Sequence, residues 1–271
     1  MLHLRSLLLA LLVSLTAAAV LAQSVSRHNE TTSADTALAR VVYRLDQTPS
    51  GRGYHYVFYG NAFFINDEGY LLTVAHVLDN FRDGGQAYIL VSRLNSPPRL
   101  VPITVIATDP GHDVAILQAK PNPFANHFQV LHLRLSADGA TRGESVLALS
   151  LHPPKLQNAQ SFEAPKEDRS PGTVLSYETT QLDRSAPNAD VVLLSHPVVK
   201  GQSGSPVFSV SQDGSPAVVV GLIEGRWLRG TALAARAITS DHPADVPGVA
   251  VPIRNAINLL REHHIAYHAS P

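Results

Sequence analysis

The chain has 271 residues, 45% of them hydrophobic, with a formal net charge of −1 and no cysteine. The apolar content suffices for one large all-β domain or two small ones, and the balanced charge, with no basic run interleaved with aromatics, excludes an obvious nucleic-acid partner. Disulfides, cysteine-type metal sites and a lipid-modified N-terminal cysteine are excluded outright.

The N-terminus reads as a secretory signal, residues 1–22. Arg5 precedes an apolar run from Leu7 to Ala22, and Val20-Leu21-Ala22 offers small residues for cleavage after Ala22. The run falls short of the ~20 residues of a spanning helix. Cleavage is therefore preferred over a membrane anchor, and no stable membrane association is expected afterwards. Residues 23–37 are polar and aperiodic, a flexible leader. Export without cysteine fits a bacterial periplasmic or secreted protein.

Many short β-type runs follow. They are ARVVYRL, YHYVFYG, NAFFIN, YLLTVA, AYILVSR, VPITVIAT and DVAILQA, then SVLALSL, GTVLSYE, DVVLLS, PVFSV, AVVVGLIE and GVAVPI. Each is rich in Val, Ile, Leu, Phe or Tyr and bounded by turn residues, as strands are. Asp67-Glu68-Gly69 between two apolar runs predicts a hairpin. Strands this short and frequent predict a sandwich or barrel, not alternating β and α units. One helix is predicted over about 252–264: Pro252 suits its first turn, and Ile253, Ala256, Ile257, Leu260 and His264 fall at helical spacing. Residues 152–171, 183–189 and 226–247 read as long loops, which in compact domains are often functional.

Ser203 sits in Gly201-Gln202-Ser203-Gly204-Ser205-Pro206, where glycines let the backbone turn sharply and aim amides at one point. Taken alone, such a string is more often a plain turn. A serine nucleophile needs a base, an orienter for that base and donors for the oxyanion. LLTVAHVLDN places His76 just after an apolar strand, and TDPGHDVAILQA places Asp113 at the mouth of another. A base and a carboxylate at two strand ends can converge in a cleft, and the chain order His, Asp, Ser is one of the convergent triad arrangements.

These motifs resemble those of the trypsin-like (chymotrypsin-fold) serine peptidases, and among them the bacterial Deg/HtrA-like branch. TVAHV is similar to the family's histidine motif, DPGHDVAIL to its aspartate motif and GQSGSPV to its nucleophile motif, and the resemblance covers about 41–260. It implies an all-β fold of two six-stranded antiparallel β-barrels with a C-terminal helix. The implied peptidase domain runs over 38–265, with barrel one at about 38–123, barrel two at about 140–252 and the helix at about 252–264. It further implies a serine endopeptidase that hydrolyses a polypeptide substrate through an acyl-enzyme and needs no cofactor. Ser203 is then the nucleophile, His76 the general base and acid, and Asp113 the residue that orients the imidazole. The backbone N–H groups of Gly201 and Ser203 are the implied oxyanion hole. The rival expectation, from another class, is a peptide-binding or chaperone-like protein that keeps the fold with little turnover; an esterase is a third. Lipase-type α/β-hydrolases are disfavoured because their serine comes first in the chain.

Three departures from the family pattern stand out. Gln202 replaces the usual Asp or Asn and can order the oxyanion loop only by hydrogen bonding. Ser205 replaces the second glycine after the nucleophile, which is tolerable if its backbone angles are ordinary. The final helix is followed almost at once by Pro271, so the PDZ domain that Deg/HtrA proteins usually carry is not expected. The substrate pocket is expected between residues 195–200 and 221–226, with Ser195, Lys200 and Glu224 as candidate lining residues. Glu224 at a pocket edge would favour a basic side chain; the plainer reading, preferred here, is that it faces solvent. Lys200 would instead suit acidic or neutral groups, so the specificity stays open, and the sequence carries no signal for oligomeric state. His263, His264 and His268 read as a solvated helix end and not as metal ligands, because no acidic or cysteine ligand stands near. With no HExxH run, no metal site is expected. His112 is expected to point away from the cleft that Asp113 enters, since strand neighbours alternate faces.

Overall fold

A computed structural model of the chain describes residues 37–45, 55–79, 81, 85–93, 96–123, 135–137, 139–158, 161–182, 188–211, 214, 216–224 and 247–269. The expected secretory signal, almost all of the leader, and the loop readings over 183–187 and 226–246 lie outside them.

Six strands close barrel one: β1 (Leu38–Leu45), β2 (His55–Phe64), β3 (Tyr70–Thr73), β4 (Gly85–Arg93), β5 (Ser96–Asp109) and β6 (Val114–Ala119), in the order β1-β2-β3-β6-β5-β4. Six more close barrel two: β7 (Ser145–Leu151), β10 (Glu167–Gln181), β11 (Asn188–Leu194), β12 (Pro206–Val210), β13 (Pro216–Ile223) and β14 (Gly248–Pro252), in the order β10-β11-β14-β13-β12-β7. Every neighbouring pair in both is antiparallel. Closure leaves neither barrel with a free sheet edge among the described residues. The two barrels and the C-terminal helix are those expected from the motifs, with YHYVFYG and NAFFIN joined into the single strand β2. The hairpin around Asp67-Glu68-Gly69 pairs Phe63 with Leu72 and Phe64 with Leu71.

One apolar core runs through both barrels, from Val41, Phe63 and Leu117 to Leu149, Val191 and Leu222. The helix α1 (Ile253–Glu262) closes onto it. Its Ile253, Ala256, Ile257, Leu259 and Leu260 are buried, while Arg254, Arg261 and Glu262 face out. This is the stripe that a 3.6-residue period imposes. Among the described residues, no helix is long and apolar enough to cross a membrane.

The segment 152–171 corrects one expectation. It is not a plain loop: β8 (Leu156–Asn158) and β9 (Ser161–Phe162) form a small hairpin, and β10 already begins at Glu167. Phe162 reaches across to the outside of barrel one and packs edge-on against Tyr56 and Phe58, with ring centroids 5.2 and 6.0 Å apart. Leu156, Ala159 and Phe162 recur at intervals of three, which is no strand period, so the hairpin was hidden in the sequence.

Candidate active site

His76, Asp113 and Ser203 meet where the barrels face each other. The apolar strand β3 runs straight into a 3₁₀ turn, Ala75–Leu78, in which Ala75 and Val77 are buried and His76 is left partly exposed. Asp113 ends the tight turn between β5 and β6 with a φ of 54°, a left-handed conformation that Asp tolerates better than most residues. That turn aims both carboxylate oxygens at one neighbour. Oδ1 accepts the His76 backbone N–H at 2.8 Å, and Oδ2 lies 2.8 Å from His76 Nδ1. The other ring nitrogen, Nε2, lies 3.1 Å from Ser203 Oγ.

Ser203 is carried by the loop between β11 and β12. Gly204, with φ of 80°, packs so tightly that an added Cβ would lie 2.1 Å from the Asn61 carbonyl oxygen. No other residue fits there, which explains the glycine after the serine in steric terms. Gly201 also has a positive φ, 96°. Gln202 orders the loop through its side chain: Oε1 accepts the Val199 N–H at 2.9 Å, and Nε2 donates to Asp168 Oδ2 at 3.0 Å. Ser205 does not need the left-handed region and is fully buried, its hydroxyl bonded to Ser150 at 2.9 Å. Neither the Gly201 nor the Ser203 backbone N–H has an acceptor among the described residues. A hydroxyl, an imidazole and a buried carboxylate bonded in series can deprotonate the hydroxyl and hold the resulting imidazolium.

The pocket candidates fare differently. Glu224 corrects the preference for a solvent-facing side chain: it is 0% exposed, and its Oε1 lies 3.9 Å from His76 Nδ1. The turn of chain leaving β13 carries it inward because its backbone N–H bonds the Val249 carbonyl of β14 at 3.0 Å. It therefore stands behind the imidazole beside Asp113. Ser195 spends its hydroxyl on the Thr173 N–H at 2.9 Å, tying β11 to β10. Lys200 is exposed in the turn before Gly201. His112 faces solvent against Asp109, away from the cleft.

His76, Asp113 and Glu224 each bring one ligand atom within 4.8 Å of the others, the spacing a cation would need. Such a cation would take Nδ1 of His76, the atom already bonded to Asp113, so the two arrangements exclude each other. The 2.8 Å separation is that of a charge-assisted hydrogen bond.

Sequence reasoning missed the supports of the loop. Asn61 is buried in β2 and donates its backbone N–H to the Ser203 carbonyl at 2.7 Å. Its own carbonyl accepts the Thr73 hydroxyl at 2.7 Å. The one available signal was an amide residue in the middle of an apolar strand, where an unpaired polar group is costly.

Paired six-stranded barrels with these three side chains at their junction are the architecture of chymotrypsin-fold serine peptidases. The profile of the trypsin-like peptidase domain matches residues 60–222, and the chain belongs to that family. Comparison with curated proteins by sequence finds no match. Among solved structures, the chain is similar to the HtrA-type protease AlgW with decapeptide, at a TM-score of 0.58 and 18% identity over 87% of this chain. It is also similar to AlgW with tripeptide, at a TM-score of 0.56 and 18% identity over 89% of this chain. The chain spans just under two thirds of the length of these relatives, 66% and 65%. At such identity the likeness establishes the fold.

Proposed function

We propose that the protein is an exported serine endopeptidase that cleaves polypeptides through an acyl-enzyme. The observation that carries this reading is the continuous line from Asp113 Oδ2 through His76 to Ser203 Oγ, with steps of 2.8 and 3.1 Å. Asp113 keeps the proton of the neutral imidazole on Nδ1, which leaves Nε2 free to accept the Ser203 proton. Ser203 Oγ attacks the peptide carbonyl, and the oxyanion forms within reach of the Gly201 and Ser203 N–H groups. Each such donor is worth about 3 kcal/mol in enzymes of this kind. His76 then passes its proton to the leaving amine. Water, deprotonated in turn by His76, hydrolyses the ester and restores Ser203. Asp113, bonded to Nδ1, holds the ring in place while it carries the second proton. The peptidase unit is residues 38–265, and residues 1–22 direct export to the periplasm or beyond the cell. The peptides bound to the HtrA-type neighbours support a polypeptide as substrate.

The test is labelling of the purified mature protein with a fluorophosphonate probe, with the adduct mapped by mass spectrometry. We expect one adduct, on Ser203, and none in Ser203→Ala. A folded wild type that takes no probe, or a Ser203→Ala variant labelled equally well, overturns the reading.

A further inference from the structure

A buried cation stands behind the nucleophile loop. Arg40, on β1 of barrel one, is 0% exposed, and its Nη1 donates to the carbonyls of Gly201 at 2.6 Å and Leu151 at 2.8 Å. Asn61 Nδ2 donates to the same Gly201 carbonyl at 3.0 Å, and Asn61 Oδ1 accepts the Leu151 N–H at 3.0 Å. Two donors from barrel one thus converge on one carbonyl of barrel two. The Nη2 and Nε groups of Arg40 are buried with no hydrogen-bond partner among the described residues. A Cβ placed on Gly201 would lie 3.8 Å from Nη2. Burial pushes the guanidinium down to about 10, so it remains charged at neutral pH. No carboxylate among the described residues pairs with it.

As a stabilising device this is poor. A buried charge without a counter-ion destabilises a fold relative to an apolar side chain of the same shape. Its position gives it another use. Gly201 has no side chain to restrain it, so the peptide that presents its N–H can rotate unless the glycine is held from its other end. The held carbonyl belongs to the following Gly201–Gln202 peptide, so it anchors the Cα end of the bond about which the N–H peptide turns and narrows the swing of that N–H. The positive charge lies against Gly201, whose N–H is one of the two donors implied for the oxyanion, in an interior where such a field is little screened.

We propose that Arg40 is a positioning residue for acyl transfer, which fixes Gly201 through its carbonyl and places a permanent positive charge behind the oxyanion. The inference rests on the reading of Ser203 as the nucleophile. Asn61 shares the mechanical half of the task and none of the electrostatic half, being neutral.

Saturation labelling with the fluorophosphonate probe separates the two parts of the claim, because it gives a maximal rate of Ser203 modification and a half-saturating concentration. Arg40→Met removes the charge and both bonds at similar length. We expect its maximal rate to fall ~10–100-fold, less than the ~10²–10³-fold cost of removing a direct oxyanion donor, because Arg40 acts through Gly201. Its half-saturating concentration should stay within about threefold and its Tm should not fall, since a buried charge is removed. Arg40→Lys, which keeps the charge and a donor, should recover most of the rate. If Arg40→Met yields no folded protein, Arg40→Gln, with a donor but no charge, replaces it and should be slower than Arg40→Lys. A purely structural role would lower Tm and leave the rate per folded molecule unchanged in every variant, and that result overturns the inference. It would leave the assignment of Ser203 intact, whereas an inert wild type removes both.

Discussion

Barrel one delivers its two site residues from its own framework, whereas barrel two depends on its surroundings to hold Ser203. His76 follows β3 within a single 3₁₀ turn, Asp113 closes the turn between β5 and β6, and two bonds at 2.8 Å lock them together. The loop that carries Ser203 has bonds that run outward instead. The Ser203 carbonyl is held by Asn61, the Gly201 carbonyl by Arg40 and Asn61, and the Gln202 amide by Asp168 on β10. The base is therefore aligned within barrel one, whereas the oxyanion loop is held partly by barrel two itself, through Asp168, and partly across the junction, by Arg40 and Asn61. A disturbance of how the barrels fit should act on acyl transfer and leave the imidazole in place.

The sharpest break of this contrast lies on the barrel-one side. Asp113→Asn keeps the volume but offers an amide that can donate to Nδ1, which places the imidazole proton on the wrong nitrogen. The expected loss in kcat is about 10⁴-fold, with KM little changed. A loss under tenfold would mean that Glu224, 3.9 Å from the same nitrogen, takes over the orienting task.

On the barrel-two side the effect should be smaller, because several bonds share the load. Gln202→Leu removes both the bond to Asp168 and the bond to the Val199 N–H. We expect a loss of kcat of roughly tenfold, the equivalent of one net hydrogen bond of about 1.4 kcal/mol. The imidazole resonances of His76 in NMR should be unmoved. A Gln202→Leu variant as damaged as Asp113→Asn would show that the loop has no other support and would undo the contrast.

The same contrast explains what was legible in the sequence. His76, Asp113 and Ser203 stood out because each lies beside an apolar strand or a glycine turn in a motif that resembles the peptidase family's; strand spacing alone pointed only to a sandwich or barrel, and the pair of six-stranded barrels was implied by the resemblance. Gln202 could be read as a loop-ordering residue, but its partner Asp168 could not, since it lies 34 positions away on a strand taken for a loop. Arg40 looks like the outward residue of an alternating strand in ARVVYRL, and only closure of barrel two over β1 buries it. Glu224 looks like the solvated end of AVVVGLIE for the same reason. Polar residues buried between two barrels carry no local pattern, so the sequence hides those that depend on docking.

The mildest test of barrel two concerns acid. His196 lies between β11 and the nucleophile loop, buried, with neither ring nitrogen hydrogen-bonded among the described residues. Burial pushes its pKa below the ordinary histidine value, and the charge of Asp168 offsets part of that shift. Asp168 is also the residue that holds Gln202. The unfolded chain, with an ordinary value near 6.5, then binds the proton more readily than the folded one. Stability from this site is therefore fully present above about pH 6.5 and is lost as the pH falls through the lower folded value. Melting temperatures measured from pH 8 to pH 5 should fall more steeply for the wild type than for His196→Gln, which has no proton to bind. The wild-type acid loss should appear first as faster amide exchange in the loop around Gln202, ahead of the turn at Asp113. Parallel melting curves for the two proteins would remove His196 from the account of acid sensitivity, and simultaneous exchange in both turns would show that the two halves of the site yield together.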